Sequence, residues 1–148
     1  HLFFGEYSWT PHGTVDVTYL NAFYGHKQYR SPARGELAGG PLGRTGLLFA
    51  ARGIGSYPFA LSNQASEAHG MALGRQFIFN GGKQHVILEG GFRASHDSNS
   101  TSDFGTGAAA QWQRAFWHRY LLQIDGFWSR EDERRSSTGA RLEWRIKI

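Results

Sequence analysis

Thr138-Gly139-Ala140-Arg141-Leu142-Glu143-Trp144-Arg145-Ile146-Lys147-Ile148 alternates between apolar and ionic side chains from Ala140 to its last residue. Ala140, Leu142, Trp144, Ile146 and Ile148 fall on one side of an extended chain, and Arg141, Glu143, Arg145 and Lys147 on the other. Successive side chains of a strand point to opposite faces, so the stretch reads as a β-strand with one apolar and one ionic face. A helix would spread both sets around its circumference, because its period is about 3.6 residues.

The same period runs upstream. Tyr120, Leu122, Ile124, Gly126 and Trp128 oppose Leu121, Gln123, Asp125 and Phe127. Phe104, Thr106, Ala108, Ala110 and Trp112 oppose Gly105, Gly107, Ala109, Gln111 and Gln113, a second face small enough to leave room inside a curved sheet. Val86, Leu88, Gly90 and Phe92 oppose Ile87, Glu89, Gly91 and Arg93, and Val15, Val17, Tyr19 and Phe23 oppose Thr14, Asp16 and Thr18. In both of these segments the charge-bearing face is expected to be the inner one. The segmentation predicts eight strands: Leu2 to Trp9, Thr14 to Gly25, Arg44 to Gly53, Ala68 to Phe79, Gln84 to Ala94, Asp103 to Ala115, Arg119 to Ser129, and Thr138 to Ile148.

Composition agrees with an all-β, antiparallel chain forming a single domain over residues 1–148. Twenty glycines and 15% aromatic residues suit strand bends and pleated surfaces better than helix interiors. No run approaches the ~18 consecutive apolar residues of a spanning helix, the longest being Leu47 to Ala51. Without cysteine there is neither a disulfide framework nor a thiolate zinc site. The seven histidines are scattered singly, so no metal site or cofactor is expected. Gly105-Thr106-Gly107-Ala108-Ala109-Ala110 lacks the strand-to-helix setting of a dinucleotide fingerprint. Net charge is +4, but Lys and Arg sit at strand ends and loops, as in Arg30 to Arg34 and Arg130 to Arg135, which argues against a nucleic-acid partner.

The connections fall into two kinds. Asn80-Gly81-Gly82-Lys83 reads as a tight hairpin, since Asn and Gly tolerate positive φ, and Ala115 to His118 is another short join. Ser95 to Ser102, Ser129 to Ser137 and Gly53 to Glu67 read as longer polar loops at the opposite end. On this segmentation the long His26 to Gly43 stretch falls at the short-turn end and breaks the alternation. That break, and a chain opening inside the apolar His1-Leu2-Phe3-Phe4, favour the C-terminal part of a larger barrel over a complete small one. Aromatic residues gather near segment ends, among them Phe3, Tyr7 and Trp9, Phe77 and Phe79, Trp112, Phe116, Trp117 and Tyr120, and Phe127 and Trp128.

Thr138-Gly139 followed by two free positions and alternating hydrophobic residues resembles the C-terminal assembly signal of Gram-negative outer-membrane β-barrel proteins, both porin-like and small eight-stranded, with Ile148 at the usual terminal aromatic. The resemblance implies a transmembrane β-barrel in the cell outer membrane, inserted by the barrel-assembly machinery and in contact with outer-membrane lipids and lipopolysaccharide. It implies that Leu142, Trp144, Ile146 and Ile148 face lipid and that Arg141, Glu143, Arg145 and Lys147 face the lumen. An Arg or Lys on the lipid face near the midplane would cost about 2–4 kcal/mol, which favours the same assignment. By the same reasoning Asp16, Glu89, Arg93 and Asp125 are lumen-facing, and Leu122, Ile124 and Trp128 lipid-facing.

The expected role is a pore for transport or a structural membrane component, not an enzyme, with further subunits or strands as partners. Two alternatives stand beside it. His96-Asp97-Ser98-Asn99 resembles the His-x-Ser-Asn element of the outer-membrane lipid A deacylases, with Glu89 as a candidate acid, although the element lies three strands earlier here. Eight alternating strands also suit a soluble lipocalin-like ligand-binding barrel.

Overall fold

Where the period-two pattern is unbroken, the chain forms strands, and each strand pairs with its sequence neighbour. The computed structural model describes residues 2–26, 65–97, 102–117, 119–131 and 135–146. They form β1 (Leu2–Trp9), β2 (Val17–His26), β3 (Ala65–Phe79), β4 (Gln84–Asp97), β5 (Ser102–Phe116), β6 (Tyr120–Glu131) and β7 (Arg135–Ile146). All pairings are antiparallel, in one sheet ordered β1 to β7. The only helical turn among the described residues is the 3₁₀ turn Asn80–Gly82. Neither β1 nor β7 has a second neighbour, so the described sheet is open.

One rim carries the joins 10–16, 80–83 and 117–119, and we call it the turn rim. The other carries 27–64, 98–101 and 132–134, and we call it the loop rim. At residues 80–83 the predicted turn chemistry is present: Asn80, Gly81 and Gly82 have φ of 52°, 63° and 86°, and Lys83 donates its N–H to the Asn80 carbonyl at 3.3 Å.

The expected segmentation needs three corrections. First, β2 and β3 are direct neighbours, paired from Val17↔Gln76 to His26↔Glu67, so no strand at Arg44 to Gly53 stands between them; that stretch itself lies outside the described residues. His26 and Ala65 are therefore both at the loop rim, whereas the segmentation places His26 at the short-turn end. Second, the strands outrun their apolar cores. Ser95, His96, Ser102, Arg130 and Ser136 fall in stretches expected to be loop, yet Ser95 pairs with Asp103, His96 with Ser102 and Arg130 with Ser136. Once a hairpin is in register its backbone ladder continues through polar residues, because the hydrogen bonds are between main chains.

Third, β2 presents the opposite face. Tyr19 and Asn21 are fully buried and lie in register with Gly74 and Ala72 of β3. Tyr19 donates its hydroxyl to the Glu89 carboxylate on β4, across Gly74 of β3. A Cβ at Gly74 would stand 2.1 Å from Tyr19 Cζ, so only glycine lets this ring lie flat on the wall. Phe127 of β6 covers Gly139 of β7 in the same way, with Cε1 2.4 Å from where a Cβ would be.

The two faces of the sheet differ in kind. Glu89 and Arg93 are each 4% exposed and Gln123 2%, and Gln111 and Ser129 of the same inner face are also buried. Leu142, Leu73 and Leu88 on the outer face are 70%, 54% and 50% exposed. Aromatic rings border that apolar surface at two levels. Towards the turn rim Phe116 stacks on Trp144 at 6.5 Å, Tyr120 lies 5.6 Å from Trp144, and Arg75 and Arg114 cover Phe77 and Phe116. Towards the loop rim Phe92 stacks on Phe104 at 6.0 Å.

Candidate functional site

The inner face carries two clusters of polar and charged side chains. Register rows fix its composition, since partners across an antiparallel sheet share a face. One row runs Gln111–Asp125–Arg141, and the next inner row towards the turn rim runs Gln113–Gln123–Glu143. Asp125 is the hub. It accepts from Gln111 Nε2 at 2.7 Å, from Gln123 Nε2 at 2.9 Å and from Arg141 Nε at 2.9 Å. Arg141 Nη2 stands 2.8 Å from Asp125 Oδ2 and 2.9 Å from Glu143 Oε2, and Arg145 donates to the other oxygen of Glu143. Two carboxylates thus meet two guanidiniums in a ladder from β6 into β7, with the amides of Gln111 and Gln123 filling carboxylate lone pairs that charge alone would leave open.

The wall has a second polar patch nearer the loop rim. Glu89 and Tyr19 form a buried pair, Arg93 lies between Gly70 and Gly105 in the register, and Asn21 is fully buried with neither amide atom hydrogen-bonded. Glycines flank the long side chains: Gly74 beneath Tyr19, and Gly70 and Gly105 beside Arg93.

Of the residues expected in the lumen, Glu89, Arg93, Asp125, Arg141, Glu143 and Arg145 share this inner face, and Lys147 lies outside the described residues. Asp16 does not join them. The strand begins at Val17, so Asp16 belongs to the turn before it. There its carboxylate takes the Ile78 N–H at 3.1 Å and pairs at 3.2 Å with Arg75, whose register partners Thr18 and Leu88 are on the outer face. Leu122, Ile124, Trp128, Leu142, Trp144 and Ile146 lie on the outer face, and Ile148 is not described. Tyr19, Asn21, Gln111 and Gln123 also belong to this face, beyond the residues expected in the lumen. The two glutamines carried a usable signal, an amide on the face opposite a run of apolar residues.

No family model matches the sequence, and no curated protein or solved structure matches it. The site therefore stands on its own chemistry. The His96 element does not assemble with Glu89: His96 pairs across the sheet on the outer parity, whereas Glu89 is on the inner one and is held by Tyr19. His96 Nδ1 instead meets Ser102 Oγ at 3.0 Å, an exposed contact between register partners, and Ser98 and Asn99 lie outside the described residues. On the outer face a depression of about 420 Å³ opens over Gly90, Ala108, Ala110 and Gly126, walled by Leu88 and Trp128, and it is apolar.

Removing the hub of the ladder should be costly. Asp125→Ala strands Arg141 with half its partners and frees two glutamine amides. A hydrogen bond to a charged group contributes about 1.5–3 kcal/mol, so the free energy of unfolding should fall by that order. Adding Arg141→Met to Asp125→Ala should recover much of the loss. Urea titration of the single and double variants checks both.

Proposed function

We propose that this chain forms the wall of an outer-membrane β-barrel that acts as a pore or a structural membrane component, with outer-membrane lipids and lipopolysaccharide against its outer face. The observation that carries the reading is the inverted distribution of polarity. Ionic side chains such as Glu89 and Arg93 are buried on the inner face, while Leu73, Leu88 and Leu142 stand open on the outer one. A soluble protein rarely exposes a contiguous apolar patch beyond a few hundred Å². Lipid removes that cost, because an apolar band between aromatic girdles is the surface a bilayer solvates.

Strand length supports the reading as well. About 9–11 tilted residues cross the hydrocarbon core. The 15 residues of β3 and β5 and the 14 of β4 exceed that need, leaving polar ends to overhang. A soluble ligand-binding barrel calls for the reverse polarity, an apolar interior under a polar exterior.

The test is solubility followed by conductance. The refolded chain should be monodisperse in detergent micelles and aggregate when detergent is removed. Monodispersity in plain buffer would overturn the reading. In planar bilayers, stepwise conductance assigns the pore role and its absence the structural one.

A further inference from the structure

We propose that the outer face of β4 to β6 binds a phosphorylated lipid of the lipid A class, with one acyl chain in the depression over Ala108 and Ala110 and a phosphomonoester against Arg130. The inference deepens the membrane-barrel reading and rests on it.

The depression is a groove along β5. On the outer face of that strand Thr106, Ala108 and Ala110 succeed one another, and bulk returns towards the turn rim at Trp112. β4 flanks the groove with Phe92, Gly90 and Leu88, and β6 with Arg130, Trp128 and Gly126. From Thr106 to Ala110 is about 13 Å of strand, close to half of a hydrocarbon core of about 30 Å, so the groove suits a chain from one leaflet.

The fold itself does not account for the missing side chains. A Cβ on Gly90 would come no nearer than 3.9 Å to the Gly107 carbonyl oxygen, and one on Gly126 no nearer than 3.9 Å to that of Gly139. Neither glycine has a positive φ. Gly74 is different, because the Tyr19 ring requires it. Glycine inside a strand weakens it, so open space kept at that cost points to an occupant from outside the chain.

Charge decides the kind of occupant. Of the described side chains of β4 to β7, the carboxylates Glu89, Asp125 and Glu143 lie on the inner face, whereas Arg114 and Arg130 lie on the outer one. Arg130 is the guanidinium beside the groove. It is exposed, stands next to Trp128 on the outer face of β6, and lies in register with Thr106 of β5 and Ser136 of β7. A guanidinium between two hydroxyls offers donors enough for the three terminal oxygens of a phosphomonoester; a phosphodiester has fewer such oxygens and less charge. Arg114 lacks this setting. It covers the Phe116 ring, its register partners are Gln84 and Leu122, and the row Val86, Trp112 and Ile124 separates it from the groove.

The test adds lipids to the refolded chain in detergent micelles and measures retention by native mass spectrometry. Bisphosphorylated lipid A should stay bound as a single adduct, about tenfold more tightly than the same lipid without phosphates or than phosphatidylglycerol, the margin of one charge-assisted hydrogen bond. Arg130→Gln should bring it down to the level of the dephosphorylated form. Gly126→Val and Ala108→Leu fill the groove from an open surface, so the thermal unfolding midpoint should hold while retention of every lipid falls. Equal retention of phosphatidylglycerol and lipid A would overturn the phosphomonoester. Displacement of lipid A by millimolar inorganic phosphate would leave the groove no part and overturn the acyl-chain seat. Unchanged retention in Arg130→Gln, or in both folded groove variants, overturns the site. Failure of the membrane reading looks different, since the protein would then stay monodisperse without detergent.

Discussion

Leu73→Arg is expected to destabilise the folded protein in a bilayer by about 2–4 kcal/mol, the cost of a cationic side chain on the lipid face near the midplane. Leu73 lies near the middle of β3 on the outer face and is 54% exposed, so little packing is lost on substitution. In water the same change would be nearly silent, because surface substitutions of this kind usually stay within about 0.5 kcal/mol. The prediction thus separates a lipid-facing surface from a solvent-facing one without identifying any ligand. Leu142→Arg should behave similarly. Arg75 is the native control: it shares the outer face but sits level with the 10–16 turn, where Asp16 holds it at 3.2 Å. Equilibrium unfolding from lipid vesicles gives the numbers. Changes below 0.5 kcal/mol at both leucines would remove the basis of the membrane reading.

The parts of the fold legible in the sequence are those decided by local periodicity. β7 announces itself because from Ala140 every second residue is apolar and the intervening ones are ionic, and β4 because Glu89, Gly91 and Arg93 alternate with Leu88, Gly90 and Phe92. The register of neighbouring hairpins then follows from turn chemistry such as Asn80-Gly81-Gly82. The face of β2 differs from the local pattern for a physical reason. Its Asp16 suggested an inner face, but that aspartate precedes the strand and serves the turn, while the aromatic Tyr19 looks like a lipid-facing residue. What turns Tyr19 inward is Gly74, more than fifty positions away, together with Glu89 on the strand beyond. No local pattern encodes a pocket made by two other strands.

The candidate site divides on the same line. Arg141, Glu143 and Arg145 are visible as one ionic face, whereas the role of Asp125 as their hub depends on the β6–β7 register. Gln111 and Gln123 complete that hub only because β5 and β6 bring both amides to one carboxylate. The loop boundaries differ for another reason: Ser95 and Ser136 look like turn residues in isolation, yet both sit in an established ladder.

Gly74→Val tests the long-range lock directly and should be strongly destabilising. The added Cβ would lie 2.1 Å from Tyr19 Cζ and 2.2 Å from its hydroxyl, so the ring must leave the wall. Overpacking of this kind costs about 1–3 kcal/mol. Expelling Tyr19 also takes its hydroxyl from Glu89, and a buried hydrogen bond to a charged group is worth about 1.5–3 kcal/mol. Together these point to a loss of roughly 3–5 kcal/mol, a large share of the total stability of an ordinary domain. A clash and a lost partner can be told apart in a cycle with two tyrosine variants. Tyr19→Phe removes the hydroxyl and keeps the ring, so adding Gly74→Val to it should cost almost only the overpacking part. Tyr19→Ala removes the ring itself, and on that background Gly74→Val should become nearly neutral. Strong coupling between positions 19 and 74, measured by urea unfolding in micelles, is the expected result. If Gly74→Val costs the same in the presence and absence of the tyrosine ring, then Tyr19 is not seated on Gly74 and the inward face assigned to β2 is wrong.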